Sequence, residues 1–170
     1  AKLVNSLYQI EDNHKFPISM LLYWGFCWEA DEDEFFVGKR ELTTAGDIPK
    51  PIQTGFEIMA KLQTNRLKVK NNNTPEKLGI LATKSESDQI SFLAYNYNET
   101  AEDLLKTEAV EVELSGLKKN QSFVLKETLL DSEHNNTYNA WLKAGKPTKA
   151  SGNDISQIRS AANLKTTATH

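Results

Sequence analysis

A chain of 170 residues is long enough for one domain with a real core, or for a small domain joined to part of a neighbour. Its hydrophobic share of 39% and charged share of 25% are those of a soluble globular protein, and a net charge of -3 with scattered lysines and arginines excludes nucleic acid as a partner, because no patch neutralises phosphates. The single cysteine, Cys27, excludes an intrachain disulfide and a cysteine-clustered zinc site. With neither a secretory signal nor an apolar stretch of membrane-spanning length in the sequence, a soluble chain without a membrane partner is expected, the cytoplasm being favoured.

Residues 1–11 place Leu3, Val4, Leu7, Tyr8 and Ile10 at helical spacing with one apolar face, broken by Asn13 and His14. A helix already under way at Ala1 leads us to expect further residues upstream. Phe16-Pro17 then enters the run Ile18-Ser19-Met20-Leu21-Leu22-Tyr23-Trp24-Gly25-Phe26-Cys27-Trp28-Glu29. Its apolar opening predicts a strand buried on both faces, and its aromatic and acidic end predicts a ligand-facing rim. A pyranose packs its apolar face on an indole or phenyl ring and gives its hydroxyl hydrogens to a carboxylate, so Trp24 to Glu29 reads as half of a carbohydrate site. The other reading is a core strand whose aromatics only pack. Glu29 to Glu34, broken only by Ala30, reads as a solvated acidic loop, since no histidine or glycine-spaced calcium pattern accompanies it.

The long loop from Ala30 to Gly46 is of the kind that carries function. Pro49 and Pro51 fix the backbone ahead of a helix predicted from about Ile52 to Gln63, with Ile52, Phe56, Met59 and Ala60 facing inward. Helix, buried strand, helix is the rhythm of a βα barrel or a doubly wound sheet. From Arg66 the period changes. Leu67-Lys68-Val69 alternates, residues 78–83 and 90–97 predict a hairpin turning at Ser85-Glu86-Ser87-Asp88, and residues 110–114 and 122–130 predict two more strands, a spacing that indicates a β-sandwich. A helix over residues 136–143 carries Tyr138, Trp141 and Leu142 and is stopped by Gly145 with Pro147 beyond it; Asn153 or Asp154 caps a last helix through Leu164, and residues 165–170 are expected to fray.

His14, His134 and His170 are too scattered for a metal site. There is no nucleophile elbow and no phosphate-cradling glycine loop, and Cys27 has no base beside it, which leaves carboxylates as the catalytic stock. Glycoside hydrolysis needs two of them flanking one bond, about 5 Å apart or about 6.5 Å and more. Glu29 and its loop neighbours are too close in sequence to form opposing walls, so Glu29 reads as a residue that hydrogen-bonds substrate.

Four stretches carry a resemblance: Tyr23-Trp24-Gly25-Phe26 with its acidic loop, Gly46-Asp47-Ile48-Pro49-Lys50-Pro51 leading to a helix with Phe56, Leu93-Ala94-Tyr95-Asn96-Tyr97, and Asp131 to Pro147 with His134, Asn135 or Asn136, Tyr138, Trp141 and Gly145. In this order they resemble glycoside hydrolase family 39, the β-xylosidase and α-L-iduronidase family. The resemblance implies an α+β fragment. Residues 1–64 would be the last βα units of a (β/α)8 barrel (helix seven, strand eight at Met20 to Cys27, helix eight), and residues 65–170 an antiparallel β-sandwich with C-terminal helices. It further implies a retaining glycosidase acting on β-xylosides or similar glycosides, with no cofactor and no metal. The partners are then the carbohydrate and the rest of the barrel, or an oligomer partner covering the fragment. The family's two catalytic glutamates, at the ends of barrel strands four and seven, would precede Ala1, so no catalytic residue lies in this chain and it is expected to be inactive alone. The substrate-binding set is Trp24, Phe26, Trp28 and Glu29, with Asp31, Glu32 and Glu34 as competitors of Glu29. Cys27 to Ala30 depart from the family, which places an acidic or hydroxyl residue and then a phenylalanine there, so the sugar is not carried over. The alternative is a non-catalytic carbohydrate-binding or interaction module, such as part of a regulatory protein.

Overall fold

The structure, a computed structural model, describes residues 1–23, 25, 36, 41–44, 46–70, 75, 77–98, 107–117, 119, 122–148 and 152–169. It mixes helices with small antiparallel sheets, and its contacts sort into two units, Ala1–Leu21 with Met59–Ser122, and Leu22–Ile58 with Phe123–His170.

In the first unit, helix α1 (Lys2–His14) ends at Lys15, which takes the left-handed conformation with φ of 52°. Strands β1 (Asn65–Arg66), β2 (Leu78–Lys84) and β3 (Ile90–Asn96) form an antiparallel sheet in that order. The register pairs Gly79 with Tyr95, Leu81 with Leu93 and Thr83 with Ser91, and strict alternation along β2 turns Gly79, Leu81 and Thr83 inward. The predicted hairpin is therefore present, closed by Ser85, whose amide donates to Gln89 O at 2.9 Å and whose hydroxyl accepts from Gln89 N at 3.1 Å. Polar and cation–π contacts tie α1 to this sheet. Asn5 donates to the Tyr95 hydroxyl at 2.8 Å, the Arg66 guanidinium lies 4.5 Å over the Tyr8 ring while pairing with Asp12, and the Lys2 ammonium lies 4.5 Å over Tyr97. The apolar face read from the sequence is only half used: Val4 and Leu7 are half-buried, whereas Leu3 and Ile10 stay exposed.

In the second unit, helix α2 (Pro51–Met59) opens on Pro51, whose missing amide hydrogen costs nothing at a first helical position. Strand β4 (Leu125–Thr128) precedes helices α3 (Thr137–Lys143) and α4 (Gly152–Ser160), and strand β5 (Thr166–Thr169) returns antiparallel to β4. The Asn136 side chain caps α3 by accepting from Asn139 N at 3.1 Å, and Gly145 N donates to Leu142 O at the other end, as the sequence predicts. Ile48 and Ile158 are fully buried, with Phe36, Ala140, Trp141 and Ile155 packed against them. Phe36, Tyr138 and Trp141 form a ring cluster with centroids 5.4 to 5.7 Å apart, and the Trp141 indole donates to Pro147 O at 3.1 Å.

Several predicted elements differ from those found. The part of the Met20 to Cys27 strand within the described residues, Met20 to Tyr23, has no strand pairing, and Leu22 is 82% exposed. A parallel barrel strand exists only through ladders to its neighbours, and among the described residues none lies beside it. Residues 110–114 are likewise unpaired and exposed despite their alternation, because alternation supplies a face but no partner edge. The strand expected over 122–130 is confined to the four residues of β4, and the last helix stops at Ser160 rather than Leu164. The tail expected to fray is instead β5. Three threonines suit a strand, but without a hydrophobic alternation they leave no periodic trace.

Candidate functional site

Of the aromatic run, Tyr23 and Gly25 are described; Trp24, Phe26, Trp28 and Glu29 lie outside the described residues, as does the acidic loop to Glu34. Gly25 is buried with φ of 153°, a conformation that glycine adopts at no steric cost. Its carbonyl accepts from Leu42 N at 3.2 Å, and the Leu42 carbonyl accepts in turn from Lys50 N at 2.7 Å. An antiparallel bridge between Thr43 and Pro49 extends this clasp. Its tip is held by Thr44, whose amide donates to Ile48 O at 2.9 Å and whose hydroxyl accepts from Ile48 N at 3.3 Å. The base of the clasp carries an ion pair, Lys50 Nζ to Glu41 Oε2 at 3.1 Å, with the two side chains only 12% and 11% exposed.

Beyond the clasp, the Thr137 hydroxyl donates to Pro49 O at 2.6 Å, fastening it to α3. On α2, Phe56 meets the Tyr23 ring edge to face at 5.2 Å and 63°. Thr54, two residues earlier, is buried, and its hydroxyl has no hydrogen-bond partner among the described residues. Gly25 thus carries a backbone hydrogen bond to the clasp, and Tyr23, two residues before it, carries the aromatic contact to α2. Sequence reasoning found Pro49, Pro51 and Phe56 but missed the Glu41–Lys50 pair. Glu41 reads as one more charge at the end of a long loop, and the ion pair forms only where the chain returns at Lys50.

A concavity of about 340 Å³ lies beside α3, lined by Glu127, Leu129, Ser132, His134, Asn139 and Lys143 among others. At its rim burial pushes the Asp131 carboxyl up, but the amides of Glu133 and His134 and the His134 ring outweigh it and hold the group below the usual carboxylate range. Both Asp131 oxygens face His134 Nδ1, at 2.9 and 3.0 Å. The polar groups here are spent on one another: Asn139 donates to Ser132 O, Asn136 to Asp131 O, and Lys143 pairs with Glu133. The arrangement builds a turn. Of the other histidines, His14 closes α1 and His170 lies outside the described residues; among the described residues no group of three or more His, Cys, Asp or Glu could hold a metal ion, and no helix is long and apolar enough to cross a membrane.

Comparison with known proteins matches residues 9–170 to the family described as glycosyl hydrolases family 39. A beta-xylosidase of Caldicellulosiruptor saccharolyticus is 24% identical over 171 residues, an alignment that takes in 97% of this chain and 33% of that protein. The chain therefore spans about a third of the length of this curated relative.

Proposed function

This chain belongs to glycosyl hydrolase family 39, and from that premise we propose that it is the C-terminal portion of a retaining glycosidase resembling β-xylosidases. Residues 1–64 are then the last helix, strand and helix of the barrel, and residues 65–170 an accessory β-sandwich. In this reading Trp24, Phe26 and Trp28 offer aromatic faces to a xyloside-like ring and Glu29 accepts hydrogen bonds from its hydroxyls. The catalytic pair belongs to polypeptide preceding Ala1, and the remainder of the barrel is the partner that covers the fragment.

The observation that carries the reading is the extent of the family match, whose span of residues 9–170 takes in the aromatic run, the clasp and both sheets. The clasp supports it, because a preorganised backbone lowers the ordering cost of binding, and the Gly25 carbonyl, within the aromatic run, accepts a hydrogen bond from Leu42 N. Calorimetry of the chain with xylobiose tests it. Weak heats that disappear in Trp24→Ala are expected; equal heats from both proteins would remove Trp24 from the site. If an upstream reading frame encoded no barrel, the alternative of a non-catalytic carbohydrate-binding module would replace this one.

A further inference from the structure

We infer that α1 is a two-faced connector, its polar face docked on the β1–β3 sheet and its apolar face the seat for barrel polypeptide outside this chain; the identity of that partner rests on the function proposed above. Lys2, Asn5, Tyr8 and Asp12 recur at three- and four-residue spacing and line one face of the helix. Each meets the sheet or the residue just past it: Lys2 lies over Tyr97, Asn5 donates to the Tyr95 hydroxyl, and Tyr8 and Asp12 both receive Arg66. Leu3, Leu7 and Ile10 recur at the same spacing on the opposite face, where Leu3 is 63% and Ile10 47% exposed. The helix thus reverses the usual arrangement, in which the apolar stripe turns inward.

A helix of 13 residues is marginal by itself and draws its stability from burying an apolar face. The contacts that hold α1 are of another kind. The Arg66 and Asp12 side chains remain 33% and 60% exposed, a setting in which an ion pair contributes little. Such contacts fix which way the helix faces and leave its stripe for a second layer. About two thirds of the similar beta-xylosidase lies outside the part aligned with this chain, which covers 33% of it. A barrel closes by laying the apolar face of each helix on the strands beneath, so barrel polypeptide has the chemistry that fits a stripe of two leucines and an isoleucine. Phe16 and Met20, also exposed, follow α1 in the same unit.

The test is hydroxyl-radical footprinting of the 170-residue chain, alone and joined to the polypeptide encoded directly upstream of Ala1, with Leu3→Gln/Ile10→Gln as the variant of both. In the chain alone, Leu3 and Ile10 are expected to label readily and the buried Leu81 hardly at all, and the double variant keeps the urea midpoint of wild type, because both positions face water. In the longer protein, labelling of Leu3 and Ile10 falls to the level of Leu81 and the double variant lowers the midpoint. The inference is overturned if the two residues label equally in both proteins, or if the double variant destabilises neither. Protection in the 170-residue chain alone, with a dimer mass in sedimentation, assigns the stripe to a second copy and overturns it as well. A longer protein that hydrolyses an aryl β-xyloside while Leu3 and Ile10 stay exposed sinks the connector and leaves the proposed function standing. One that covers both residues without hydrolysis keeps the seat and sinks the glycosidase reading. If no barrel is encoded upstream, the two fall together.

Discussion

Gly79 illustrates how much one side chain, or its absence, decides. It faces Tyr95 across the β2–β3 ladder, and a Cβ at this position would overlap the phenol of Tyr95. The hydroxyl end of the ring lies over the glycine, and there the hydroxyl accepts from Asn5 on α1. Gly79→Ala is therefore expected to cost about 1–3 kcal/mol, the range for overpacking, because the ring must swing out and release α1. Tyr95→Phe, which loses only the hydrogen bond, should cost about 1 kcal/mol. Urea denaturation of the two variants beside wild type measures the difference, and equal costs would show that the ring is free to move aside.

Among the elements, the pairing of β4 with β5 depends on a residue in neither strand. Asn135 is buried in the left-handed region with φ of 52° and donates to Leu129 O at 2.6 Å and, more weakly, to Lys165 O at 3.4 Å, while accepting from Lys165 N at 2.9 Å. It thereby joins the end of one strand to the approach of the other, and the hydroxyls of Thr128 and Thr166 meet at 2.8 Å just beyond. Asn135→Ala both removes these bonds and places a residue less tolerant of the left-handed conformation there, so a loss of about 2 kcal/mol is expected. Loss of amide protection confined to β4 and β5, with α3 still protected, is the signature to measure. The Asp131 turn behind Asn135 adds acid sensitivity. Its carboxyl is depressed in the folded state, so this contribution is present above the usual carboxylate pKa of about 3.9 and is lost as pH falls through the lower folded value.

For the molecule as a whole, family membership and chain length have to be read together. The chain matches family 39 over nearly its full length yet spans about a third of a beta-xylosidase to which it is similar. Among the described residues only Ile48, Leu81 and Ile158 are buried apolar side chains, while Phe16, Met20, Leu21 and Leu22 are exposed. On the function proposed above, further barrel polypeptide is what covers these side chains. The chain by itself is accordingly expected to show no hydrolysis of an aryl β-xyloside above buffer, because acid and nucleophile must flank the same bond and neither is proposed to lie here. Turnover by the purified 170-residue chain that survives Glu29→Gln would refute the assignment of catalysis to other polypeptide.

Much of the local structure was legible in the residues alone: the amphipathic spacing of α1, the paired prolines ahead of α2, the β2–β3 hairpin with its serine-rich turn, and α3 between Asn136 and Gly145. These depend on neighbours within a few positions, and so does the four-stretch resemblance to the family. Strand partnership was not legible. Residues 110–114 have a strand's pattern and no strand partner among the described residues, whereas β5 has a partner and no pattern. The same holds at the candidate site, where sequence placed the aromatic run but only the folded chain brought Lys50 back to Glu41 and Leu42 to Gly25. Periodicity records which face a segment can bury; what it pairs with is settled by contacts between residues far apart in the chain, and no short window contains them.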